Sequence, residues 1–195
     1  MRIIGGRLSG RRFEAPGGRD TRPTSDRVRE ALASALESRG AFEGARVLDL
    51  FAGTGALTFE ALSRGAAAAV VVDRDPRVIR LLLRNAEALG LASEVQALRV
   101  DLLGDPSTVV RRIPEATGGF GLVFADAPYS RTDSLPGLLE ELAAERRLAP
   151  GAWVVVEHAA ASDWAWPNGL ASDAEYRYGQ TRISLGFYAP EKGSQ

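Results

Sequence analysis

The chain contains no cysteine, which excludes disulfide staples and thiolate metal sites alike. Its single histidine, His158, is too little imidazole for a zinc centre or a serine-type triad, and after the apolar run 153–156 it reads as a polar strand end. No hydrophobic stretch approaches the length needed to span a bilayer, and the first residues lack the apolar middle of a secretory signal. A cytoplasmic protein is the expectation. Lysine is nearly missing as well, since only one of the 24 basic residues, Lys192, is not arginine. What remains is ordinary globular material: 195 residues, 45% hydrophobic and 25% charged, enough for one domain with a substantial core.

A net charge of −1 conceals an uneven distribution. Residues 1–30 carry eight arginines against four acids, so this segment is +4 and the remainder −5. A basic segment on an acidic body suggests a polyanionic partner. A composition-wide preference for arginine would give the same excess without any partner.

Along the chain, strands alternate with helices. The opening R-I-I-G-G-R-L-S-G-R-R-F-E-A-P reads as a short β-hairpin turning near Ser9 and Gly10, with its arginines forming a projecting patch. From Asp26, the residues Val28, Ala31, Leu32, Ala35 and Leu36 recur at helical spacing up to Gly40. Strands follow at 47–51, 69–73, 95–100, 122–125 and 153–157, with helical segments at 55–64, around 79–89, near 107–113 and at 135–147. The alternation implies a doubly wound, mostly parallel sheet. Two β-rich runs, 173–178 and 182–188, succeed each other across Gly179 with no helix between, so a C-terminal antiparallel hairpin is expected to complete seven strands. The expected organisation is a basic hairpin arm over 1–25, a catalytic domain over 26–190 and a disordered tail over 191–195, acting as a monomer.

The first strand runs into D49-L-F-A-G-T-G-A-L57. Gly53 and Gly55 let the backbone turn beneath a ligand and aim amide N–H groups from a helix N-terminus. A dinucleotide fingerprint would require a third glycine where Thr58 stands, and Asp49 would repel a pyrophosphate. An ammonium group would instead be attracted, and S-adenosylmethionine has an ammonium, a sulfonium and no phosphate. Asp73, ending the next strand, is placed for the ribose hydroxyls, and Asp101, ending the third, for the adenine amine with Leu102 as an apolar wall. The alternative is three helix-capping acids.

The fourth strand, V-F-A-D-A-P-Y, breaks off in Asp126, Ala127, Pro128 and Tyr129. In open α/β sheets, ligands bind beyond the carboxyl ends of the strands, which puts these residues across the crevice from the cofactor. A turn that merely caps the sheet would use the same residue types. D-A-P-Y resembles the (D/N)-P-P-Y motif of amino-methyltransferases. Asp126 and a backbone carbonyl would hold an exocyclic amine by its two N–H groups while Tyr129 stacks on the base. No metal is needed.

M-R-I-I-G-G-R, T21-R-P-T-S-D-R-V-R-E30, the glycine loop, E60-A-L-S-R-G65, D126-A-P-Y129 and Y178-G-Q-T181 together resemble the RsmD family, over nearly the whole chain. The resemblance implies a Rossmann-like class I methyltransferase that modifies N2 of one guanine in small-subunit (16S) ribosomal RNA, as RNA or within an assembly particle. It implies a cofactor site of Arg22, Thr24, Asp49, Phe51, Ala52, Gly53, Gly55, Asp73, Arg74, Asp101 and Leu102. RNA would contact Arg2, Arg7, Arg11, Arg12 and Arg19. Ala127 departs from the family's D-P-P-Y, which admits a catalytically impaired RNA-binding relative. A DNA adenine-N6 methyltransferase could share the chemistry, but the chain leaves little room for a target-recognition domain. A glutamine-directed protein methyltransferase would carry Asn at 126, and a nicotinamide-dependent oxidoreductase would not carry Asp49.

Overall fold

A computed structural model describes residues 1–15 and 26–190, with the backbone alone of residues 129–131. The helices are α1 (Asp26–Glu37), α2 (Ala56–Ser63), α3 (Pro76–Leu89), α4 (Pro106–Arg112) and α5 (Leu135–Ala144). They alternate with β1 (Arg46–Leu50), β2 (Ala68–Asp73), β3 (Val95–Arg99), β4 (Phe120–Ala125) and β5 (Leu148–Ala159), and the chain closes with β6 (Leu170–Tyr178) and β7 (Thr181–Tyr188). The seven strands lie in the order β3-β2-β1-β4-β5-β7-β6. The first five run parallel, and β7 is antiparallel to both β5 and β6. This is the class I methyltransferase fold. Among the described residues, no helix is long and apolar enough to cross a membrane.

Both faces of the sheet are covered. Val47, Val71, Leu122, Phe124 and Val155 join one core cluster with residues of α1, α2 and α3. Their strand neighbours Leu48, Val72, Val123, Ala125 and Val154 join a second with α4 and α5. The two-residue period of the strands thus distributes apolar side chains to both sides, which is why these segments read as continuous hydrophobic runs.

The closing hairpin turns at Gly179 and Gln180, between the paired Tyr178 and Thr181. Several boundaries differ from the sequence expectation, that of β6 among them, which begins at Leu170 rather than 173. Helix α5 stops at Ala144 rather than 147, because Arg146 adopts a left-handed backbone (φ 52°). Strand β5 begins at Leu148, where it pairs with Phe120 before a register shift. His158 is wholly buried in β5. Its Nε2 lies 2.8 Å from Ser184 Oγ and its Nδ1 2.7 Å from Ser162 Oγ, and its ring stacks on Trp164. It is a structural residue that fastens the chain after β5 to the sheet.

The N-terminal segment departs most from expectation. It is a loop closed by a single antiparallel bridge, Arg2 to Arg12, around a 3-10 turn at Gly6–Leu8, and it is packed onto α2 rather than projecting. Ile3 and Phe13 are buried, the latter edge-on to Phe59 at 5.2 Å. The buried Glu60 carboxylate accepts from the Ile4 and Gly5 amides, each at 2.8 Å, and from Arg64 Nε at 2.8 Å. Gly6 sits so close that a Cβ would lie 2.0 Å from the Ser63 carbonyl oxygen, and its φ of 73° also favours glycine. I-G-G and E60-A-L-S-R-G65 are therefore the two halves of one clamp. Three of the five hairpin-region arginines are engaged with the body: Arg2 pairs with Asp26 (2.9 Å), Arg7 with Glu94 (2.5 Å), and Arg11 donates to Ala88 O (2.8 Å). Arg12 is exposed, and Arg19 lies outside the described residues.

Removing Glu60 leaves two amides and the Arg64 Nε without their acceptor, while Arg64 keeps its ion pair with Glu37 at 2.7 Å. Glu60→Ala is expected to lower the unfolding free energy by ~1–3 kcal/mol or more, the cost of leaving buried donors unsatisfied. Urea titration measures the loss, and limited proteolysis should cut residues 1–15 first. A stability change below about 1 kcal/mol, typical of surface positions, would show the clamp to be incidental.

Candidate active site

The polar residues predicted for the site converge at the carboxyl edge of the parallel strands. After β1, Phe51 takes a left-handed backbone (φ 65°), an uncommon conformation for a non-glycine residue and one that marks functional turns. Ala52 N then donates to Val72 O at 2.9 Å, anchoring the turn to β2. The two glycines of the loop have different reasons. At Gly55, φ is 76° and a Cβ would strike Leu82 and Phe59 at 2.5 and 2.7 Å, so glycine permits the helix to pack against its neighbours. At Gly53, φ is 49° and the nearest atom to a Cβ would be 3.7 Å away, so the space above it is open.

Asp73 braces this loop from the end of β2. Its Oδ2 accepts the Gly53 amide at 3.2 Å and its Oδ1 the Asp75 amide at 2.8 Å. A carboxylate oxygen has about two lone-pair sites, so each retains an acceptor for a hydroxyl. Asp101, exposed beyond β3, accepts the Leu103 amide through Oδ1 at 3.1 Å, while Leu102 beside it is buried. Arg74 is exposed at the same rim.

Asp49 is almost fully buried under the loop, with Thr58 Oγ1 donating to its Oδ2 at 2.5 Å. Thr58, which in the sequence only breaks a dinucleotide pattern, is thus the partner of a buried acid. Desolvation, partly offset by that hydrogen bond, pushes the Asp49 carboxyl up to about 7.

Asp126 follows β4 directly and is half-buried. Burial first, and then the nearby carboxylates of Glu157 and Asp49, hold its carboxyl well above the usual range. Glu157 was not anticipated from sequence. The register sets Ala125 of β4 beside Val156 of β5, so Asp126 and Glu157 are the next neighbours along two parallel strands. Ala127 is buried in the second core, Pro128 is exposed with an extended backbone (φ −51°, ψ 135°), and Tyr129 opens a 3-10 helix to Ser134. The Tyr129 side chain, Arg22 and Thr24 lie outside the described residues. The edge therefore brings together Asp49, Gly53, Asp73, Asp101 and Asp126, whereas Arg2, Arg7 and Arg11 of the N-terminal loop are bound elsewhere on the body, to Asp26, Glu94 and Ala88.

The raised Asp49 value has a thermodynamic consequence. Between the unfolded value of 3.8 and the folded value near 7, the native state holds a proton that the unfolded chain has released, so stability falls as pH rises through that window. Each unit of pH there removes up to about 1.4 kcal/mol from this source. Asp49→Asn keeps an oxygen acceptor for Thr58 but does not titrate. Its melting temperature relative to the wild type should climb from pH 4 to pH 7; a difference independent of pH would contradict the buried, protonatable acid.

The family described as conserved hypothetical protein 95 matches residues 1–187. The chain is 35% identical to YlbH of Bacillus subtilis, which carries a provisional rRNA methyltransferase name, over 81% of this chain and 82% of that protein. It is 38% identical to ribosomal RNA small subunit methyltransferase D of Escherichia coli over 72% of this chain and 64% of the relative. A solved Escherichia coli structure, yhhF, named provisionally as a methyltransferase, superposes with a TM-score of 0.81 at 29% identity, covering 98% of this chain and 99% of that one. With a family model over residues 1–187, relatives 35–38% identical over most of its length and the same fold, the chain belongs to this family, the RsmD family.

Proposed function

We propose that the protein is an S-adenosylmethionine-dependent methyltransferase acting on the exocyclic N2 amine of a guanine in small-subunit ribosomal RNA. The observation that carries this reading is the placement of Asp73 and Asp126 on opposite sides of an open glycine loop at one sheet edge. The cofactor supplies an electrophilic methyl group on a sulfonium. Asp73 has an acceptor left on each oxygen for the ribose hydroxyls, the space above Gly53 admits a ligand, and Asp101 stands where the adenine amine would reach it. Asp49 lends negative charge beneath the loop, and a bound cation would favour its ionised form. Phe51, Ala52, Leu102 and Arg74 shape the remaining wall, and the family resemblance adds Arg22 and Thr24 as cofactor contacts.

On the acceptor side, the Asp126 carboxylate and the Ala127 carbonyl receive the two N–H groups of the base amine and aim its nitrogen for in-line displacement. As nitrogen gains a bond to carbon it becomes acidic, and one proton must leave. A carboxyl raised toward neutrality by burial is well matched to take that proton, because a general base works best with a value near the working pH. Ala127 in place of the family's first proline retains the carbonyl, its small side chain is accommodated in the core, and Pro128 still holds it extended. Tyr129 stacks on the extruded base. The relatives' names supply the RNA; the acid chemistry supplies the amine.

The two aspartates should separate in mutation. Asp73→Ala is expected to weaken S-adenosylmethionine binding by ~1–3 kcal/mol in calorimetry through lost hydrogen bonds. Asp126→Ala should leave that affinity nearly unchanged while single-turnover methyl transfer drops by about 100-fold or more, the usual worth of a positioned general base. Near-normal turnover in the second variant would remove Asp126 from the chemistry.

A further inference from the structure

Beyond the carboxyl ends of β2 and β3, a groove is lined by Arg74, Asp75, Arg77, Arg99, Asp101 and Arg112, together with Pro76. Four guanidiniums face two carboxylates. Arg77 is paired with Asp75 at 2.7 Å, which leaves Arg74, Arg99 and Arg112 against Asp101 alone. Arg99 Nε donates to Arg74 O at 3.4 Å, and Arg112 Nη2 to Arg99 O at 3.3 Å. These contacts to backbone carbonyls steady the side chains without cancelling their charge. Among the described residues, Arg74, Arg99 and Arg112 have no carboxylate within ion-pair distance.

In the N-terminal loop, Arg2 and Arg7 are ion-paired to the body, which leaves Arg11, bonded to a carbonyl, and the exposed Arg12. The groove therefore holds uncompensated charge of its own, from residues spread over 74–112, where seven arginines accompany five acids. Arg74 also borders the proposed cofactor site, but S-adenosylmethionine has no phosphate and leaves the guanidiniums of Arg99 and Arg112 unaccounted for. Strand spacing puts β3 about 14 Å from β4, three steps of ~4.8 Å across the sheet, so the groove lies within a few nucleotides of a base held at Asp126.

We infer that this groove binds backbone phosphates of the RNA strand flanking the target guanine. The inference rests on the proposed function for its choice of polyanion. Arg74 follows β2, Arg99 ends β3 and Arg112 ends α4, and together they form a rail at the rim of the crevice rather than a single ion site. RNA enters across β2 and β3, with its phosphates fixing the register in which one base reaches Asp126.

The test uses the double variant Arg99→Gln/Arg112→Gln and a control of equal charge, Arg46→Gln/Arg177→Gln, whose exposed arginines lie at the amino end of β1 and on edge strand β6. Binding of a small-subunit ribosomal RNA fragment is measured from 50 to 300 mM salt without any methyl donor, together with calorimetry of S-adenosylmethionine. Each phosphate contact contributes about −0.7 to the slope of log K against log salt on a single strand, so the groove variant should lose roughly one unit of slope and about tenfold in affinity at low salt. Its cofactor affinity should match wild type, and the control should keep the wild-type slope. An unchanged slope in the groove variant, or an equal loss in the control, overturns the inference. Wild-type protein that binds the RNA through the groove but transfers no methyl group would instead overturn the proposed reaction and leave the groove assigned; wild-type protein that does not bind the RNA would overturn both.

Discussion

With helices over both faces of its sheet, this protein has one edge at which polar side chains can meet a ligand without interrupting a core. Asp49, Asp73 and Asp126 emerge there from β1, β2 and β4, and Asp101 from just beyond β3. Asp73 is supported by backbone amides, while Asp49 and Asp126 are pushed toward neutrality by burial. On the proposed reading, the same fold thus provides a hydrogen-bonding acid for a ribose and a proton-accepting acid for an amine, a few strand spacings apart. Burying charged groups in this way is destabilising, which is the usual condition of a functional site.

The N-terminal segment serves this edge indirectly. Glu60 ties the Ile4 and Gly5 amides to α2, and α2 begins at the glycine loop. Thr58, in the same helix, holds Asp49. One short helix therefore joins the entering chain, the glycine loop and a buried acid.

Much of this was legible in the sequence because it depends on local pattern. Apolar runs ending in Asp located the strand ends, and glycines at 53 and 55 located the turn. Contacts between residues distant in sequence were not legible. Thr58 reads as an interruption of a glycine motif until its hydroxyl is seen on Asp49, and Glu157 has no signal until the register sets it beside Asp126. Charge counted along the chain drew attention to the first 30 residues, but pairing in space neutralises much of that loop. Arg74, Arg99 and Arg112 are dispersed in sequence, and only folding gathers them.

The central claim is that this site methylates a guanine amine in ribosomal RNA. Small-subunit RNA and small-subunit particles lacking the modification can be incubated with the protein and isotopically labelled S-adenosylmethionine, digested, and mapped by mass spectrometry. Label is expected in one N2-methylguanosine at a single position. RNA without label, or label on an adenine amine instead, would refute the proposed reaction.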